Sequence, residues 1–205
     1  MLFVLLVLAA SLSLGACAAA RAAGVAPPPH EAPPLGLGGK RVLIAPVQAG
    51  EGVGEAVRAR LEAELTFALA ERDPQVVWAK PEDLRRALGR TPGFAADPDH
   101  LPGDSYLHHG ARYVTEPLLG TLRRYSALTD VRLILVPYRA TFLPPEAAAS
   151  ERSLRLDAAL VDVRSGDLLW WGAAEAAGAE GDAATAARLA ASIAARLLVP
   201  TTAPR

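Results

Sequence analysis

The stretch "SLRLDAALVDVRSGDLLWWG", Ser153–Gly172, decides the fold. In it Leu154, Leu156, Ala158 and Leu160 alternate with Arg155, Asp157, Ala159 and Val161. A period of two sends successive side chains to opposite faces, so this is a strand of a sheet whose two faces differ. Ser165-Gly166 supplies a tight turn, and Asp167–Ala174 is extended again, which makes a β-hairpin. Trp170 and Trp171 are adjacent in the second strand and therefore face opposite ways, one into a helix-covered core and one toward the other side of the sheet.

Upstream of the hairpin the period changes. "RVLIAPV", Arg41–Val47, is a short β-branched apolar run and reads as a buried strand. Val53, Val57, Leu61, Leu65 and Leu69 then recur every four residues among charged ones, the pattern of a core-facing helix. "QVVWA", Gln75–Ala79, is a second strand, and Pro81-Glu82-Asp83 starts a short helix with Leu84 and Leu88 inward. Residues 90–103 form a loop, with a brief turn capped by Asp104 or Ser105. Arg112–Tyr125 and Asp130–Phe142 read as extended. Downstream, Ala186, Leu189, Ile193 and Leu197 line one face of a helix from about Asp182 to Leu198.

The expected fold class is therefore α/β in the α+β sense. Its order is β-α-β-α, then an antiparallel meander and a C-terminal helix, giving a mixed sheet with helices mainly on one face. The chain has 205 residues, of which roughly 160 form this single domain, 40–199, with a disordered tail at 200–205.

At the other end, Met1–Leu14 is an apolar run of the length of a signal-peptide core, although no Lys or Arg precedes it. Leu14-Gly15-Ala16-Cys17 follows, with Cys17 as the single cysteine of the chain. These four residues resemble the lipobox of bacterial lipoproteins. The resemblance implies a signal peptide over 1–16, recognition of Leu14, Gly15 and Ala16 by the signal peptidase, and a diacylglycerol with an N-acyl chain on Cys17. An uncleaved anchor is the alternative, since Met1–Ala20 carries no charge over about the length of a membrane helix. Ala18 in place of Asp after the cysteine resembles lipoproteins sorted to the outer membrane. Residues 17–39 carry the lipidated cysteine and a Pro/Ala/Gly-rich tether.

"KRVLIAPV", "PEDLRRAL", "GARYVTEPLLG" and "VRLILVPYRA" followed by "LDAALVDVRSGDLLWWG" resemble serial landmarks of a group of envelope proteins. That group comprises the curli-secretion lipoprotein, the penicillin-binding-protein activator lipoprotein and the amino-terminal domain of TolB. Arg112 stands where the group has Asp in "GADY", while Val161–Trp170 fits well. The landmarks are turns and core residues, so the resemblance speaks to fold before function. It implies a lipid-anchored periplasmic protein-binding module supporting envelope assembly, secretion or cell-wall synthesis, held to the outer membrane with its body in the periplasm. An oligomeric secretion-pore subunit and an envelope enzyme are the alternatives, and a homo-oligomer stays open.

Basic and acidic residues number 21 and 22, a formal net charge of −1, with no Lys/Arg block in the sequence, which argues against a nucleic-acid partner. Gly50–Glu55, "GEGVGE", lies where a dinucleotide fingerprint would, but Glu55 replaces the third glycine and Glu51 and Glu55 repel a pyrophosphate, so no nucleotide is expected. The histidines His100, His108 and His109, with Asp97, Asp99 and Asp104, lack a metal-ligand spacing. Ser105, Ser126, Ser150 and Ser165 lie in no nucleophile context, so no catalytic residue, metal or cofactor is expected and the chain is not read as an enzyme. Trp171 with Tyr125 and Tyr138 is the candidate partner surface, an aromatic patch on an uncovered face of the sheet. The alternative packs the indoles under loops or under the connection around Pro144–Glu151.

Overall fold

A computed structural model of the chain describes residues 33–107, 111–144, 152–178 and 181–199. Met1–His30 and Glu31–Arg205 separate into two units, and every described residue belongs to the second. The lipobox residues Leu14–Cys17 and the tail 200–205 lie outside the described residues.

Five strands form one sheet. β1 is Arg41–Ile44, β2 Val77–Ala79, β3 Leu133–Leu143, β4 Ser153–Asp162 and β5 Asp167–Ala177, in the spatial order β2-β1-β3-β4-β5. β1 is parallel to both β2 and β3, whereas β3–β4 and β4–β5 are antiparallel, so the sheet is mixed as expected. The helices are α1 Glu55–Arg72, α2 Pro81–Arg90, the one-turn α3 Gly103–Tyr106, α4 Leu118–Thr129 and α5 Ala183–Leu197.

The period-two pattern sorts the strands into two cores. Val42 and Ile44, Leu133 and Leu135, and Leu154, Leu156, Ala158 and Leu160 pack with α1 and α5. Leu43, Ile134 and Val136, and Ala159 and Val161 pack with α2 and α4. Full burial of each leucine here contributes about 1.5–3 kcal/mol relative to leaving it exposed, which is why the alternation holds its register against a one-residue slip.

α5 begins at its cap: Asp182 accepts the backbone N–H groups of Ala184 and Thr185 at 3.1 and 3.2 Å. This agrees closely with the helix expected from Asp182 to Leu198. α2 starts on Pro81, and the Asp83 side chain accepts the Lys80 N–H at 3.1 Å, satisfying one of the donors a helix start leaves open.

Three expectations are corrected. Arg112–Tyr125 is not a strand: only Tyr113 bridges to Asp167, and α4 begins at Leu118. Leu118, Leu122 and Tyr125 recur at helical spacing and all three are fully buried, so packing on the sheet selects the helix. Its end is marked by Asp130 in the left-handed region at φ 50°, a conformation Asp tolerates. Second, the uncovered sheet face expected for an aromatic patch is covered: the long helices α1 and α5 lie together on one face of the mixed sheet, and α2, α3 and α4 pack on the other. Third, the body starts before residue 40. Leu35 N–H donates to Leu197 O at 2.7 Å, Val199 N–H returns a bond to Leu35 O, and Leu37 is buried, so this end of the expected tether is part of the domain.

Candidate functional site

The aromatic candidates separate as the sheet dictates. Leu160 pairs with Trp170 and Val161 with Leu168, so Leu169 is an extra residue, a β-bulge that places Leu168 and Trp171 on one face and Trp170 on the other. Trp170 is fully buried in the α1/α5 core, and Trp171 packs partly exposed against the α2/α4 core. Tyr125 and Tyr138 are buried in that second core at 0% and 6% exposure, so they form no surface patch with Trp171. The Tyr125 hydroxyl donates to Ala96 O at 2.8 Å, and burial pushes its pKa up, with Asp97 and Asp99 adding to the effect. The patch fails because α4 turns Tyr125 inward onto a covered face.

A cleft of about 360 Å³ opens beyond the end of β1 and beside the middle of β3, lined in part by Gln48, Gly50, Asp99, Leu101, Tyr138 and Arg139. β1 leads to β2 on one side while β3 flanks it on the other, so this is the strand-order reversal at which α/β sheets form crevices. Its polar groups are engaged within the chain. The Gln48 amide donates to Pro46 O and Pro98 O at 2.8 and 2.9 Å and accepts from Leu101 N–H at 2.7 Å. Gly50 N–H donates to Ala140 O at 2.8 Å, and a Cβ at position 50 would meet that oxygen. The glycine-rich turn is therefore closed on the protein's own backbone.

Behind the cleft lies an ionic cluster that the sequence did not announce. Glu62, buried in α1, accepts Val47 N–H at 3.0 Å, Arg58 Nη1 at 3.0 Å, and Arg85 Nη1 and Nη2 at 2.9 and 2.8 Å. Arg85 also donates to Asp99, Nη2 to Oδ1 at 2.6 Å and Nε to Oδ2 at 3.1 Å. Burial works to raise the Asp99 pKa, but the hydrogen bonds and charges of Arg85 and Arg58 outweigh it and hold the carboxyl below its ordinary range. Hydrogen bonding to Asp99 leads in raising the Arg85 pKa. The cluster positions structure; it presents no unpaired acid or base to the cleft.

The other candidates are simpler. His100 Nδ1 meets Asp97 at 2.9 Å on an exposed loop, while His108 and His109 lie outside the described residues. Among the described residues no group of three or more His, Cys, Asp or Glu side chains could hold a metal. Ser126 Oγ donates to Val131 O, Ser165 Oγ accepts Asp167 N–H at 3.3 Å, and Ser150 lies outside the described residues.

At the opposite end of the sheet, arginines distant in sequence come together. Arg123 of α4, Arg132 before β3 and Arg164 of the β4–β5 turn line an open cleft of about 580 Å³ with Asp130. Arg123 is fixed by donation from Nε to Val163 O at 3.1 Å, and Arg132 donates Nε to Asp162 at 2.8 Å. That bond from Arg132 leads in lowering the Asp162 pKa.

No protein-family model matches the chain, and no curated protein matches it. Among solved structures it is similar to the PelC dodecamer from Paraburkholderia phytofirmans, at 13% identity over 82% of this chain and 95% of that one, TM-score 0.43. It is also similar to the LpoB C-terminal domain from Escherichia coli, at 14% identity over 69% of this chain and 85% of that one, TM-score 0.44. A third similar structure is the lipoprotein GNA1162 from Neisseria meningitidis, at 14% identity over 70% of this chain and 85% of that one, TM-score 0.44.

Proposed function

We propose that the chain is a lipid-anchored protein of the bacterial envelope, held to the outer membrane with its body in the periplasm, that works by binding protein partners. The observation that carries this reading is Leu14-Gly15-Ala16-Cys17 at the end of an apolar run, with the only thiol of the chain at the position a lipoprotein acylates. Acyl chains contribute about 0.8 kcal/mol per buried methylene, so a diacylglycerol plus an amide-linked chain anchors stably. The body supports a binding role. Its polar cluster is paired within the fold, whereas Phe67 and Tyr113 stand 59% and 61% exposed. Aromatic side chains of this kind are favoured interface anchors.

Photo-crosslinking residues placed at Phe67, Tyr113 and Trp171 of the lipidated protein test the reading in the living envelope. A discrete protein adduct from at least one position, lost when Cys17→Ser releases the body from the membrane, is the expected result. Absence of any adduct, or adducts indifferent to Cys17, contradicts it.

A further inference from the structure

We propose that the basic end of the sheet, where the chain enters the domain, docks on the phosphate headgroups of an anionic phospholipid membrane. The inference rests on the lipid anchor proposed above for its choice of partner, and on the arginine geometry for the surface itself.

Three open clefts share this end of the sheet. The first holds Arg123, Arg132 and Arg164; the second, of about 340 Å³, shares Arg132 and adds Lys40 beside Leu35 and Gly36. The third adds Arg41, which lies 3.8 Å from Asp130. Together the three clefts present seven basic side chains against three acidic ones, on a chain whose formal net charge is −1. The clefts therefore carry a local basic excess, which Glu116, 3.9 Å from Arg123, and Asp167, close enough to act on Arg132, reduce only in part. Among the acids, Asp162 is already spent, holding Arg132 and accepting the Arg164 backbone N–H at 3.0 Å.

Lys40 and Arg164 are exposed and have no side-chain partner among the described residues. Arg123 and Arg132 are held in place by Val163 O and Asp162, so their guanidinium planes are oriented before any ligand arrives. A guanidinium presents a planar fork of donors that suits phosphate oxygens. The surface is open, which suits headgroups of a membrane better than one enclosed small anion.

The choice of a membrane comes from where the chain enters. Leu35 is fastened to Leu197 and Val199, and residues 36–40 run past the second cleft into β1. Eighteen positions separate Cys17 from Leu35, a reach of at most about 3.3–3.6 Å each. An acylated Cys17 thus tethers the body by its basic end. Each Lys or Arg near an anionic surface strengthens binding about five-fold, so several acting together hold the body down against the tether's freedom.

The test uses the chain from Ala18 onward, which has no acylation site. Glu31–Arg205 is a compact unit with both cores closed within it, so this piece folds by itself. It is sedimented with vesicles of phosphatidylcholine alone or mixed with phosphatidylglycerol, and titrated separately with inorganic phosphate. The expected result is binding to the mixed vesicles only, reversed by salt, and weakened roughly thirty-fold in the double variant Lys40→Gln, Arg164→Gln with unchanged far-UV circular dichroism. Equal binding to neutral vesicles, no binding to either, an unaffected double variant, or a saturable phosphate site without vesicle binding would each overturn the proposal. None of these touches the acylation of Cys17, which a separate labelling experiment decides.

Discussion

Arg85 of α2 donates to both carboxylate oxygens of Glu62 of α1, at 2.9 and 2.8 Å, although the two helices pack in separate cores. The same carboxylate accepts Val47 N–H just beyond β1, and Arg85 also grips Asp99 in the loop before α3. One buried acid thus joins two helices, a strand end and a loop that have no contiguous sequence.

Removing that acid takes a carboxylate from Arg58 and Arg85, which keep Asp99 and Glu55 between them, and leaves the buried Val47 N–H without its acceptor. Glu62→Ala is expected to lower unfolding free energy by about 3–5 kcal/mol, the usual loss when one side of a buried pair is deleted. Urea denaturation followed by circular dichroism measures it. A loss under about 1 kcal/mol would mean that water replaces the carboxylate and that the clamp is incidental.

The same cluster sets an acid limb on stability. Although burial opposes it, pairing with Arg85 and Arg58 lowers the Asp99 pKa in the folded state. Asp83 is lowered by the Lys80 backbone N–H and then by Arg86 against some desolvation, and Asp97 by the Asp99 backbone N–H. Groups depressed on folding contribute stability that is present above their unfolded values near pH 4 and is lost as pH falls through the lower folded values. Stability measured from pH 7 downward should therefore hold to about pH 5 and decline below it. Asp99→Asn should lower the plateau and flatten the decline; a variant with the wild-type slope would contradict this.

The two neighbouring indoles should behave differently. Trp170 is fully buried among α5 and strand residues, so Trp170→Ala is expected to cost about 3–5 kcal/mol. Its Nε1 is buried without a hydrogen-bond partner, so Trp170→Phe should recover most of that loss. Trp171→Ala, at a partly exposed position, should cost less than Trp170→Ala. Chemical denaturation of the three variants checks the ranking, and equal costs at 170 and 171 would contradict the placement of Trp170 in the core and Trp171 on the opposite, partly exposed side.

Tyr125 offers a spectroscopic check on the corrected helix. Burial raises its pKa, so Tyr125 should ionise late in an alkaline difference-absorbance titration. Tyr125→Phe should abolish that late phase and cost about 1 kcal/mol through loss of the bond to Ala96 O. A titration curve whose late amplitude is unchanged by the substitution would place Tyr125 on the surface after all.

The sequence made most of the sheet legible because its signals are local. Leu154–Leu160 alternates, Ser165-Gly166 turns, and Asp182 caps, and each is satisfied within a few residues of itself. α4 was missed because Tyr113-Val114 reads as strand while the leucines after Pro117 recur at helical spacing, and only packing on the sheet decides between them. The same error turned Tyr125 outward in expectation. Neither polar end of the molecule was legible at all. Glu62 meets Arg85 across 23 positions, and Arg123, Arg132 and Arg164 come from a helix, a strand start and a turn. The chain's near-neutral total hides that local excess.

Metabolic labelling of growing cells with a palmitate analogue, comparing the wild-type chain with Cys17→Ser, tests membrane attachment through acylated cysteine most directly. The wild type should take up label and lose residues 1–16, leaving a blocked, acylated N-terminus by mass spectrometry, while Cys17→Ser remains unlabelled. A mature wild-type chain carrying a free Cys17 thiol, or equal labelling of both forms, would contradict it.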